Sequence, residues 1–403
     1  MSETYVQFGG MKNRDVLISG ASIAGPALAY WLYRHGFRPT VVERAPVVRD
    51  GGYAVDFRGS AHMGVLERMG ILADIQRART NMGAVTYVDG ADKHLASMPA
   101  EIMSGDVEIL RGDLARILYE ATRHDTEYVF DDSVTAIAQA EDGVRVTFER
   151  GQPRTFDLVV GADGLHSNVR ALAFGTESRF IRDLGYYVAI FTTPNHLNLD
   201  HTGRFYNVPG KTAGMYSARN NTEAKAMFAF ASPPLDYDRR DTDQQKKILA
   251  GTFAGQSWEV PTLIEAMWDA PDFYFDSVSQ IHIDNWSRGR VVLLGDAGYG
   301  ATMGGMGTGL AVVGAYVLAG ELAVAAGDHH TAFARYEEEL RGYAEACQKF
   351  AEGAGGFLAP STRSKIWLRN QMFRTLPHLP WKGVVNKMTT KTANAITVKD
   401  YPS

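Results

Sequence analysis

Three stretches of this chain combine glycine with an acid in a pattern suited to holding a phosphate-linked nucleotide. The first is Gly20-Ala21-Ser22-Ile23-Ala24-Gly25, followed by Glu43, 18 residues after Gly25. The second is Gly161-Ala162-Asp163-Gly164, and the third runs from Gly295-Asp296 through Gly305, Gly307 and Gly309. Glycine lets a backbone approach a pyrophosphate closely. Free N–H groups at a helix N-terminus attract the anion, and a carboxylate closing the next strand accepts from a ribose hydroxyl. The middle glycine of the usual G-x-G-x-x-G spacing is Ser22 here, which adds a side chain where phosphate comes close and also a hydroxyl able to donate. A rival reading takes G-A-S-I-A as a nucleophile elbow, G-x-S-x-G, and makes Ser22 a hydrolase nucleophile; the fifth residue, Ala24, departs from that motif.

These residues need a strand before each turn and a helix after the first. Val16 to Ser19 is a short apolar run that suits a buried strand. Leu28, Trp31 and Leu32 then share one helical face, Pro26 falls in the first turn, where its missing N–H is harmless, and Gly36 ends the helix. Residues 156–160 and 290–295 read as buried strands leading into the second and third turns, and a helix is expected from near Thr308. Open α/β sheets bind ligands at the carboxyl ends of their strands, so three such turns point to one extended ligand. Between them, residues 186–193, 203–207, 212–219 and 226–232 are strand-like and aromatic, as in an antiparallel sheet. The expected fold is therefore α/β. A Rossmann-like domain is assembled from 14–81, 101–180 and 281–352. A substrate domain comes from 82–100 and 181–280, and 353–403 form a C-terminal helical extension.

Composition narrows the classes. The chain has 403 residues, 45% of them hydrophobic and 22% charged, enough apolar material for a sizeable core. A net charge of −5 carries no basic excess for nucleic acid or an anionic membrane. Cys347 is the sole cysteine, which excludes an internal disulfide and a cysteine metal site and suits a reducing cytoplasm. His329 and His330 are adjacent rather than four apart, so no metal site is expected there. Residues 1–13 lack the apolar stretch of a signal peptide. The apolar run 310–326 contains Glu321 and reads as too short and interrupted to span a bilayer.

Taken together, GASIAG, DLVVGADGLHSNVR (Asp157 to Arg170) and RVVLLGDAGY (Arg290 to Tyr299) make the chain resemble a class A flavoprotein monooxygenase. That is the family of para-hydroxybenzoate hydroxylase and the tetracycline-inactivating monooxygenases. The resemblance covers almost the whole chain and implies FAD, NADPH or NADH, O₂, and hydroxylation of an aromatic or polycyclic small molecule through a flavin C4a-hydroperoxide. It implies that Gly20, Ser22, Ile23, Ala24 and Gly25 surround the pyrophosphate, and that Glu43 holds the adenosine ribose with Arg44 beside it. By the same likeness Asp56 and Arg111 contact FAD, Arg49 serves NADPH, and Asp163 and Gly164 serve both. Asp296 would take the ribitol or ribose side, and Gly305, Gly307 and Gly309 would bring N–H groups to the cofactor.

The family's histidine after G-D-A-x is Tyr299 here, its glutamine between glycines is Met306 and its later aspartate is Gly314, all expected around the flavin ring. Tyr187, Phe191, Tyr206, Met215, Tyr216 and Phe228 are the expected substrate face, with Arg204 and Arg219 as candidate cations. No catalytic side chain is assigned, because the cofactor carries the reactive oxygen. No second G-x-G-x-x-G is present for a permanent NADPH domain. The expected assembly is a monomer or homodimer. A flavin-stabilised cyclase or binding protein without redox chemistry is the alternative reading.

Overall fold

The computed structural model describes residues 10–100, 105–218, 221–301, 305–375 and 391–402. At its centre is the strand Asp15–Ser19, whose Val16, Leu17 and Ile18 are completely buried. A strand apolar on both faces suits a parallel sheet covered on both sides. Arg38–Glu43 and then Glu127–Phe130 lie to one side of it. Leu158–Gly161, Val291–Leu293 and the antiparallel edge pair Ser287–Arg288 lie to the other.

The helix Ala24–Arg34 crosses over between the first two strands and stops before Gly36, whose φ of +83° breaks the helical conformation. Its Trp31 meets Tyr316 edge to face, ring centroids 4.8 Å apart. Tyr316 belongs to the helix Gly307–Val324, which by length and composition is long and apolar enough to cross a membrane, contrary to the expectation of a shorter, broken run. Of that helix, 78% is buried inside the protein. It is the core helix, held between Ala24–Arg34 and His329–Ala351.

A second sheet of seven strands runs in the order Tyr274–Ile281, Ile181–Thr193, Glu223–Ala231, Lys211–Ala218, Gly203–Val208, Val85–Val88, His94–Met98. Side chains alternate across it, and its two faces have different partners. Tyr187, Phe191, Tyr206, Met215 and Phe228 all point to the face covered by the helices Thr242–Thr252 and Val260–Trp268, against Leu249, Phe253, Leu263 and Met267. These five were expected to line a substrate pocket; the structure makes them core, because the two helices take that face. Only Tyr216 of the six is turned the other way, beside Tyr87, Phe205 and Phe373. That opposite face carries Val188, Ile190, Ala229 and Val278, with Tyr53, Tyr274 and Met227 packed on them.

The two-stranded ribbon Ala54–Phe57 with Val107–Leu110 lies with Val55, Phe57, Val107 and Ile109 in the core of the parallel layer. The C-terminal region begins with two helices, Ala354–Leu358 and Arg363–Thr375. The second sets the Arg369 guanidinium 4.0 Å from the Tyr87 ring centroid on the seven-stranded sheet. Residues 391–402 then return to the parallel layer. Ala393 is fully buried, Tyr401 Oη donates to Glu321 at 2.8 Å, and Lys399 Nζ lies 3.2 Å from the same carboxylate.

Candidate active site

Strand register brings the three glycine turns together. Ser19 is paired with Gly161, Gly161 with Leu293, and Ser19 with Val42 on the other side. The carboxyl ends of four parallel strands therefore form one row, and the loops leaving them are neighbours although their residues are far apart in sequence.

The first turn is built by glycine at two positions. Gly20 has φ +109°, and a Cβ there would lie 2.5 Å from the Ala162 carbonyl oxygen. A Cβ on Gly25 would overlap the Gly20 carbonyl, so the helix start folds directly over the end of the strand. Ile23 and Ala24 open the helix, whose first turn has no side-chain cap and so presents its N–H groups outward. Glu43 accepts from Ala21 N and Ala45 N, both at 2.9 Å, which fixes its carboxylate beside the turn. Arg49 Nη2 is 3.6 Å from Glu43, and Arg44 is exposed at the same edge.

Arg111 joins the row from the side. Its methylenes pass Gly52, whose φ is +94°, and its Nη2 donates to Ser22 Oγ at 2.8 Å. No described histidine hydrogen-bonds to Ser22, so the nucleophile reading lacks its general base. At the third turn, burial raises the pKa of the Asp296 carboxyl, with the Arg111 charge working the other way. Among the described residues Asp296 accepts no hydrogen bond, which leaves a half-buried acceptor for a hydroxyl-bearing ligand. An uncapped helix start, an acid closing the second strand, a bridging arginine and an unmet carboxylate fit a dinucleotide with its sugars and pyrophosphate.

Other expected residues have other partners. Asp163 accepts from Asn168 N at 2.8 Å, from Val169 N at 3.0 Å and from Ser167 Oγ; it caps the helix Asn168–Ala173, and burial raises its pKa. Gly164, at φ +82°, has open space beside it. Asp56 pairs with Arg58 at 3.1 Å and accepts from Gly105 N at 2.9 Å, and burial raises its pKa too. It touches the cofactor loop through Gly305, φ +68°, where a Cβ would be 3.3 Å from Asp56 Oδ2. Gly307 faces Asp296, 3.8 Å from a Cβ to its Oδ1. Gly309 is glycine for a different reason: any Cβ there would overlap the buried His62 ring. Arg204 pairs with Asp92 at 2.6 Å, and Arg219 lies outside the described residues.

Tyr299, Met306 and Gly314 were expected around the flavin ring; the structure shows them packed inside the protein. All three side-chain positions are in the core, where Gly314 leaves room for the Tyr299 hydroxyl, 2.9 Å from Tyr336 Oη.

Two features escaped the sequence. Tyr53 and Tyr274, ring centroids 5.8 Å apart, stand where the cofactor row meets the second sheet, both within the fields of Arg111, Asp296 and Asp276. The Gly51-Gly52 pair before Tyr53 was the available signal. His166 bridges the two layers: Nδ1 is 2.9 Å from Glu177 and Nε2 is 3.0 Å from Asp276 on the second sheet, 110 residues away. No local pattern could have announced that contact.

Comparison with known proteins agrees with this geometry. The family described as FAD binding domain matches residues 13–351. A flavin-dependent monooxygenase of Legionella longbeachae serogroup 1 (strain NSW150) is 40% identical over 398 residues, which is 97% of this chain and 99% of that protein. The crystal structure of tetracycline destructase Tet(55) superposes with a TM-score of 0.83 at 39% identity, covering 96% of this chain and 99% of that one. Tetracycline destructase Tet(51) gives 0.84 at 36% identity, covering 97% and 100%. With both the strand-end row and the match across 13–351 in hand, the chain belongs to the FAD-binding family of flavin-dependent monooxygenases.

Proposed function

We propose that this FAD-dependent monooxygenase uses NADPH or NADH with O₂ to oxidise a flat aromatic or polycyclic molecule, bound between the cofactor row and the face of the second sheet opposite the helices Thr242–Thr252 and Val260–Trp268. The observation that carries this reading is the position of Tyr53 and Tyr274, packed together on one face of the second sheet beside Arg111 and Asp296. The two tetracycline destructases, similar over nearly the whole chain, support a polycyclic substrate and make tetracycline the first compound to try.

When bound, FAD supplies the redox chemistry and the activated oxygen. The chain supplies the rest. The glycine turn and helix N-terminus grip the pyrophosphate, with Glu43 on one ribose and Asp296 on the ribitol side. Arg111 adds positive charge between them. The tyrosine face excludes water from the substrate and presents ring surfaces on which a planar molecule stacks. Arg44 and Arg49, at the exposed edge beside Glu43, are placed to meet the phosphates of a nicotinamide nucleotide that visits from solvent. Work in the cytoplasm suits the single buried Cys347.

The test is direct. Purified protein is expected to show a flavin spectrum and to consume NADPH faster when tetracycline or a phenol panel is added, with product mass raised by one oxygen. A flavin that NADPH and NADH both fail to reduce would instead favour the non-redox binding reading.

A further inference from the structure

We propose that Ser22 is a phosphate-binding residue held in place by Arg111, and that its hydroxyl proton is donated to a pyrophosphate oxygen of FAD. This rests on the family reading of FAD as the cofactor. The residue stands where the dinucleotide fingerprint normally has its second glycine, and a side chain there removes some of the backbone approach that glycine allows. The structure shows what takes its place.

A serine hydroxyl has one proton and two lone pairs. Arg111 Nη2 donates into a lone pair at 2.8 Å, and a guanidinium has no acceptor to offer in return. The proton must therefore point elsewhere, and among the described residues Ser22 Oγ donates to nothing. Ser22 sits just before the helix Ala24–Arg34, whose opening turn carries no cap and whose Pro26 has no N–H. The first turn is thus one donor short, and the hydroxyl adds one beside it. Nor does the backbone require glycine here. Ser22 is absent from the residues with positive φ, whereas Gly20 has φ +109°.

The Arg111 methylenes run alongside Gly52 and its charge acts on Asp296, so the group that orients the hydroxyl belongs to the same row. That charge also polarises the O–H bond, as in any charge-assisted pair. Serine and arginine, 89 residues apart, form one anion clamp.

The experiment compares holoprotein of the wild type with Ser22→Gly and Ser22→Ala. FAD release on dilution is followed by recovery of flavin fluorescence, and bound FAD is observed by ³¹P NMR. Loss of a hydrogen bond to a charged group predicts FAD held about ten- to a hundredfold more weakly in both variants. One pyrophosphate resonance is expected to move in both. Arg111→Lys is expected to weaken FAD in the wild type but to add little in the Ser22→Gly background, since the clamp is already broken. Ser22→Gly protein that holds FAD as tightly as wild type, with unmoved phosphorus resonances, would overturn the proposal while leaving the cofactor reading intact. Wild-type protein that takes up no FAD would overturn both.

Discussion

At the scale of single residues, two departures from the family pattern, Tyr299 and Gly314, are one packing solution. Tyr299 is 2% exposed, its ring lies 4.4 Å from that of Trp286, and its hydroxyl fills the space that Gly314 leaves. Gly314→Ala is expected to destabilise by about 1–3 kcal/mol through overpacking. Tyr299→Phe, which removes the overlapping atom, is expected to recover much of that loss, and urea melts of the four proteins of the cycle measure it. The sequence marked these positions as unusual, but it could not say that they touch, because Tyr299 and Gly314 meet through the fold of two separate helices. Glu43, Arg111 and Asp296 were legible because each closes or opens a local strand–turn unit. Asp56 and Asp163 were harder: an acid near a glycine loop also makes ion pairs and helix caps, and here both do.

At the scale of elements, the cofactor layer was readable from its strands and turns, and the second sheet was readable as antiparallel. Its inner and outer faces were not. A strand buried on both sides lacks the polar alternation that marks an outside, and Ile181–Thr193 has Tyr187 and Phe191 on one face with Val188 and Ile190 on the other. Only the positions of Thr242–Thr252 and Val260–Trp268 decide between them. The two faces give opposite predictions. Phe228, fully buried beneath those helices, is expected to lose about 3–5 kcal/mol of stability on replacement by alanine. Tyr274→Leu, on the face turned to the cofactor row, is expected to raise KM for an aromatic substrate several-fold with a smaller change in melting temperature. Steady-state kinetics beside calorimetry separates the two.

At the scale of the whole molecule, two of the long-range ties carry predictions. His166 presents both ring nitrogens to carboxylates, Glu177 on its own layer and Asp276 on the other, with Arg239 against Nδ1 and Arg170 3.5 Å from Glu177. Burial works against the imidazolium, but the bonds to Asp276 and Glu177 outweigh it, and the histidine pKa rises above 6.5. The stabilisation is therefore full below 6.5 and is lost as pH climbs through the raised value. Glu177 works in the opposite direction. Burial is again unfavourable, yet His166 and Arg239 bring it down from 4.5 to about 2, so its contribution holds above 4.5 and fades as acid approaches 2. The wild type is expected to lose melting temperature as pH rises above 6.5 through the raised histidine pKa, and His166→Asn is expected to flatten that decline. The second tie is the tail: Lys399 and Tyr401 meet Glu321, which is only 2% exposed within an apolar helix. Deleting the chain from residue 391 onward strands that carboxylate and is expected to lower the melting temperature by about a few degrees. Glu321→Gln in the shortened protein is expected to regain part of the loss.

The row in which Ser19, Gly161 and Leu293 stand side by side has a consequence for biosynthesis. A ribosome must deliver every residue from Ser19 through Leu293 before the last of these strand ends exists. Until then a nascent chain has turns but no shared groove, so the nucleotide grip is acquired late and as a unit, when strands remote along the chain finally dock. Cofactor uptake thereby reports that synthesis and assembly have both been completed through that last strand.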